Sequence, residues 1–207
     1  MSAQDWEQDN KKIVEFYSGL IKQHGFDTRS LDWGSRESQE NRFEILCGIS
    51  DLTAKSVLDL GCGMGNLREY LEKRNILVQY TGYDLAPEMI FNARQRLPED
   101  HFEVCNILEG PEPDPSFDYV LSSGIFYLRQ TEPMNFMDKI LRRMFALCRK
   151  GIAFNTLSLL ADRRVNNEFY ADPAEVLKLC HSITRRVILR HDYLPHDFTV
   201  YLYRERA

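Results

Sequence analysis

The sequence has no apolar stretch near the roughly 18–20 residues that a membrane-spanning helix needs. Its apolar runs are strand-length and end in charges or turn residues, which predicts a soluble chain with no membrane partner. Paired cysteines are missing as well. The five present, Cys47, Cys62, Cys105, Cys148 and Cys180, are an odd number at wide spacings without a C-x-x-C pair. That pattern disfavours a disulfide framework and a structural zinc site, and it predicts reduced, mostly buried thiols. With no H-E-x-x-H, no His/Cys cluster and no tight carboxylate pair, no metal is expected. Met1–Asn10 is polar and acidic, without a basic segment leading into an apolar one, so the expected address is cytoplasmic. Positive charge is not in excess: 26 Lys and Arg against 31 Asp and Glu leave a net charge of −5. The doublets Arg142–Arg143 and Arg185–Arg186 are too sparse for a phosphate-binding footprint, so no nucleic-acid partner is expected.

What is present is the make-up of an ordinary globule. At 207 residues, 43% hydrophobic and 28% charged, the chain can bury one sizeable core. There is no internal repeat or linker, and a single domain is expected over 1–207, with a helical cap at 1–50 and an α/β core at 51–207. Helix-like segments at Asp5–His24 and Arg36–Ser50 flank a polar turn at Gly25–Ser35. Strand and helix patterns then alternate: strand Ser56–Leu60, helix Asn66–Arg74, strand Ile76–Tyr83, helix Pro87–Gln95, strand His101–Cys105, strand Phe117–Leu121. Met137, Leu141, Met144 and Cys148 recur at helical spacing and predict a helix that ends near Arg149–Gly151. Strand Ile152–Thr156 follows, then a helix at Pro173–His181 opened by Asp172 and Pro173. Arg186–Arg190 and Phe198–Tyr203 are joined too closely for a helical crossover and should pair antiparallel. The predicted fold is α/β: a Rossmann-like three-layer sandwich around a seven-stranded, mostly parallel sheet with an antiparallel last strand.

The segment Val57-Leu58-Asp59-Leu60-Gly61-Cys62-Gly63-Met64-Gly65-Asn66 runs from a strand through three glycines into a helix. Such glycines let the chain turn sharply and let a ligand lie against main-chain amides. Nineteen positions beyond Gly65 a second strand ends in Asp84, an acceptor that suits the two hydroxyls of a ribose. A dinucleotide oxidoreductase shares the outline. Its glycines, however, are spaced G-x-G-x-x-G after an apolar lead-in, whereas these are G-x-G-x-G after Asp59. A carboxylate suits an ammonium group there better than a pyrophosphate.

The stretch resembles the first motif of the class I S-adenosylmethionine-dependent methyltransferases, over Ser56 to about Thr156. The resemblance implies S-adenosylmethionine as cofactor and S-adenosylhomocysteine as product. It implies that Asp59, Gly61, Cys62, Gly63 and Gly65 surround the methionine part, that Asp84 binds the ribose diol, and that Leu85 and Met89 pack by the adenine. Asn106, where the family commonly has aspartate, and Ile107 fall at the adenine edge. The small residues from Ser122 to Gly124 leave room beside the sulfonium, with Phe126 and Tyr127 either walling the acceptor or packing in the core. No D/N-P-P-Y/F follows the fourth strand, which weakens the readings of DNA-adenine or glutamine methylation. Trp33, Arg42 and Tyr17 lie in a region that closes over the cofactor in similar enzymes, Arg42 as a partner for its carboxylate or as an exposed helix arginine. His191, His196 and Tyr127 are the available catalytic candidates. The implied reaction is methyl transfer to an oxygen, nitrogen or carbon nucleophile of a small molecule. The rival readings are a catalytically inactive cofactor-binding partner protein and, more remotely, a nicotinamide-dependent oxidoreductase.

Overall fold

A computed structural model describes residues 3–25, 35–128 and 130–204. In chain order the elements are α1 (Ala3–His24), α2 (Arg36–Cys47), β1 (Ser56–Leu60), α3 (Asn66–Lys73), β2 (Gln79–Asp84), α4 (Pro87–Arg96) and β3 (His101–Val104). They continue with β4 (Phe117–Ser122), α5 (Pro133–Leu147), β5 (Cys148–Leu157), α6 (Pro173–His181), β6 (Val187–Leu194) and β7 (Asp197–Tyr203). The strands form one sheet in the order β3-β2-β1-β4-β5-β7-β6. Strands β1 to β5 run parallel to one another, and β7 lies antiparallel between β5 and β6, as the short final connection requires.

Strand alternation sends successive side chains to opposite faces, and here both faces are covered. Val57, Tyr119, Leu121 and Ala153 pack with residues of α2, α3 and α4 on one side. Leu58, Leu60, Val120, Ile152 and Phe154 pack with α5 and α6 on the other. The helix starts follow their sequence signals. Asp172 caps α6 by accepting from Ala174 N at 2.8 Å, with Pro173 in the first turn. Ser35 Oγ accepts from Ser38 N at the start of α2. Ala86 supplies no side-chain cap to α4.

Several expected boundaries move. Helix α2 stops at Cys47, where Gly48 N closes it onto the carbonyls of Glu44, Ile45 and Leu46. Strand β2 begins only at Gln79, and β6 runs beyond Arg190 to Leu194 with a register shift between them. The largest change is at α5: Cys148 does not continue the helical stripe but opens β5, and Gly151 lies inside that strand opposite Tyr203. A Cβ on Gly151 would stand 2.7 Å from Leu202 O, so this glycine permits a close backbone approach and does not end a helix. No described helix is long and apolar enough to cross a membrane.

Candidate functional site

Between β1 and β4 the strand order reverses direction, the place where open α/β sheets form a crevice beyond their carboxyl ends. The glycine loop after β1 bends through Gly61, Gly63 and Gly65, all at positive φ between 53° and 82°. Two cavities meet at Gly61, Gly63 and Ser123, which line both.

The larger is a crevice with about 860 Å³ of empty space, part of it open to solvent. Its floor is made by the ends of β2 and β3, with Asp84, Leu85, Asn106 and Ile107, and by Met89 of α4. Helix α1 roofs it with Ile13 and Tyr17, and α5 supplies Phe136 and Ile140. Tyr17 also packs on the buried cluster Met64, Ala86 and Met89, which holds α1 over the loop. Asp84 is tied at both oxygens: Oδ2 accepts from Gly63 N and Oδ1 from Ala86 N, each at 2.9 Å. Burial raises its pKa, and the N–H groups of Ala86, Gly63 and Leu85 oppose that rise. Asn106 Oδ1 accepts from Leu108 N and its Nδ2 donates to Glu109 Oε1, which fixes the amide orientation at the rim.

The smaller cavity, about 290 Å³ of empty space, lies on the α2 and α3 side and is lined by Asp59, Cys62, Gln39, Phe43, Asn66 and Leu67 besides the shared residues. Asp59 is 3% exposed and accepts from Tyr80 Oη at 2.7 Å. Burial pushes its pKa up to about 7, against the pull of the Tyr80 hydrogen bond and with a further push from Asp84. Burial, and then the charges of Asp84 and Asp59, hold the Cys62 thiol in its protonated form.

Of the residues singled out from the sequence, Tyr17, Gly61, Gly63, Asp84, Leu85, Met89, Asn106 and Ile107 meet in the larger cavity, and Asp59 and Cys62 in the smaller. Arg42 belongs to neither. Its Nε donates to Asp197 Oδ2 at 2.7 Å and its Nη1 to Ser38 Oγ at 2.6 Å, so the guanidinium is committed to a buried ion pair with β7. Ser122 is fully buried and donates to Leu60 O; the serine that reaches the cavities is Ser123, one position on. Gly65 lines neither cavity: a Cβ there would meet Leu97 Cδ1 at 2.7 Å and Phe102 Cζ at 3.1 Å, so its role is close packing of α3 on its neighbours.

The histidine candidates also fall away. The His191 ring faces Pro195 O at 3.4 Å and meets Phe198 edge-on, while His196 contributes its carbonyl to Ser158 N in the β6–β7 turn. Neither lines the cavities. Tyr127 stands at the edge, where its hydroxyl accepts from Tyr17 Oη at 3.3 Å. Phe126 is core, 3% exposed and edge-on to Phe136 and Phe154. Trp33 lies outside the described residues.

Sequence reasoning missed Gln39 and Asn155. Buried Asn155 accepts from Gly124 N at 3.2 Å and donates from Nδ2 to Ser123 Oγ at 3.0 Å, pinning the turn after β4. The signal for Asn155 was a lone amide directly after the apolar run Ile152–Phe154; Gln39 sits three positions before the arginine that drew attention instead.

Comparison with known proteins meets this geometry. A family model described as a methyltransferase domain matches residues 57–151. A chain of Mycobacterium tuberculosis whose name assigns it to the methyltransferases is 34% identical over 152 residues, 70% of this chain and 90% of that one. Trans-aconitate 2-methyltransferase of Rhodopseudomonas palustris is 32% identical over 83 residues, 40% of this chain but only 32% of its own length. Among solved structures, magnesium protoporphyrin IX methyltransferase of Synechocystis, with S-adenosylmethionine bound, superposes with a TM-score of 0.67 at 15% identity, covering 95% of this chain and 97% of that one. That likeness establishes the fold, and the Mycobacterium relative establishes the family. The chain belongs to the class I S-adenosylmethionine-dependent methyltransferases.

Proposed function

We propose that the protein transfers the methyl group of S-adenosylmethionine to an oxygen, nitrogen or carbon nucleophile of a small organic acceptor. The observation that carries this reading is the doubly capped Asp84 carboxylate on the floor of an apolar crevice, beside Gly61 and Gly63. A Cβ at Gly61 would lie 2.2 Å from Ile125 Cγ2, so only glycine lets Ile125 pack directly against the main chain of the loop that borders the crevice. These residues fit the cofactor. Asp84 has the acceptor capacity for the ribose diol, Leu85, Met89 and Ile107 offer apolar surface for the adenine, and Asp59 offers a carboxylate for the ammonium group. Bound there, the cofactor supplies an activated methyl on a positively charged sulfur.

The chain's own contribution is alignment and exclusion of water. Asn10, Ile13 and Tyr17 of α1 cover the crevice from above, and Asn155 fixes Ser123 and Gly124 where the two cavities join. Displacement at an already activated carbon gains most from positioning, worth several kcal/mol. The two carboxylates that line the cavities, Asp84 and Asp59, are assigned to the ribose and the ammonium group, and the transfer is left to positioning. The named relatives that act on trans-aconitate support a small-molecule acceptor. We assign residues 1–50 to an N-terminal helical region in which α1 caps the crevice and α2 packs on the sheet of the core at 51–207. A cytoplasmic setting is supported by five cysteines that are all free.

The test is a metabolite extract incubated with methyl-labelled S-adenosylmethionine and read by mass. A labelled small product that disappears with Asp84→Ala supports the proposal. Label found only in protein, or in nothing while calorimetry registers tight cofactor binding, overturns it.

A further inference from the structure

The smaller cavity has a donor wall as well as its acidic one. Gln39 is 4% exposed, and its Oε1 accepts from Asn66 Nδ2 at 3.2 Å. Asn66 Oδ1 in turn accepts from Arg96 Nη1 at 3.0 Å. Because a guanidinium only donates, each amide in this chain is forced into one orientation: Arg96 fixes the oxygen of Asn66, and the freed Asn66 amide fixes the oxygen of Gln39. The Gln39 Nε2 group is then the end of the relay, and it makes no hydrogen bond to any described residue. Arg96 is itself anchored under the glycine loop, with Nη1 also donating to Met64 O at 2.8 Å and Nη2 to Glu69 Oε1 at 2.5 Å. The side chain that sequence reasoning offered for a carboxylate, Arg42, is engaged by Asp197 instead.

We propose that Arg96, Asn66 and Gln39 form a relay that presents the Gln39 amide to the carboxylate of the cofactor's methionine end, opposite Asp59. Arg96 acts as a positioning residue through Asn66, and Gln39 makes the contact. The cavity thereby holds one wall of donors and one acceptor for a ligand end that carries both a carboxylate and an ammonium group, and it would reject a nucleoside that lacks them. This inference rests on the cofactor reading given above and assigns one part of that site.

The experiment is calorimetric titration of the wild type and variants with two probes: S-adenosylhomocysteine, and 5′-methylthioadenosine, which shares the thioether nucleoside but has no amino-acid end. For Gln39→Ala we expect S-adenosylhomocysteine to weaken about tenfold or more, the range for a hydrogen bond to a charged group, with 5′-methylthioadenosine within twofold of wild type. Gln39→Glu, similar in shape but negative, should weaken the first probe further. Arg96→Ala should shift the ratio of the two affinities in the same direction, and Arg96→Lys should restore part of it. The ratio makes the test robust, since a smaller folded fraction weakens both probes alike. Equal weakening of the two probes, or an unchanged ratio, overturns the relay. Wild-type protein that binds neither probe overturns the cofactor reading and the relay with it.

Discussion

Arg42 and Asp197, 155 positions apart, meet as a buried pair with Nε 2.7 Å from Oδ2. The same carboxylate accepts from Tyr193 Oη, and Tyr193 shares a hydrogen bond with Thr199. Helix α2 is thus tied to the hairpin that closes the sheet.

Removing one member of such a pair leaves a charge without its counter-ion in the interior. Arg42→Met should lower stability by about 3–5 kcal/mol in urea unfolding, and the double replacement Arg42→Met with Asp197→Leu should be much less damaging. A fall in cofactor affinity without a fall in stability would put Arg42 back in the crevice.

Asp59 links stability to pH. Its folded pKa of about 7 lies above the ordinary carboxylate value of 3.8, because burial favours the neutral form. The folded state therefore binds more protons than the unfolded chain between those values, so stability conferred below pH 4 is lost as pH rises through 7. Urea midpoints of the cofactor-free protein should fall across this window, and Asp59→Asn should flatten the slope. Asp84, also raised, contributes in the same sense and remains in the variant. Affinity for S-adenosylhomocysteine should move the opposite way and improve toward pH 7.5, as the ionised Asp59 faces the ammonium group. A profile identical in Asp59→Asn would assign the effect elsewhere.

Gly61 has φ +74°, and a Cβ there would overlap Ile125 Cγ2. Gly61→Ala carries a backbone cost of about 1–2 kcal/mol in addition to the overlap. Adding Ile125→Ala should recover the steric part and leave the backbone part, which thermal melts of the single and double variants would separate. Full recovery would mean that the backbone conformation carries no cost.

Asp84→Ala removes the acceptor from the amides of Gly63 and Ala86 as well as from any ribose. We expect cofactor affinity to fall more than tenfold by calorimetry, with about 1–3 kcal/mol lost in stability. Less than a twofold change would contradict the ribose contact.

Much of the architecture was legible because it is written locally. The strand, glycine loop and helix from Ser56 to Lys73, the Pro87 and Pro173 helix starts and the tight final hairpin each carry their signal within a few residues. The misses come from information that is not local. Arg42 looks free until Asp197 folds back onto it, and Gly151 looks like a helix cap until Leu202 lies against it. Ser122 is the last residue of β4 and Ser123 the first beyond it, and where the strand stops decides which of two adjacent hydroxyls faces the cavity. The floor of the larger cavity, by contrast, comes from strand ends, so its residues were readable once the strands were placed.

Strand β7 lies inside the sheet although it follows the other six in the chain. During synthesis the hydrogen-bonding edge of β5 and the apolar side chains awaiting Phe198, Val200 and Leu202 stay uncovered until the ribosome has delivered this segment. Nascent molecules stalled before Asp197 should therefore engage chaperones and aggregate, even with the whole glycine loop already made.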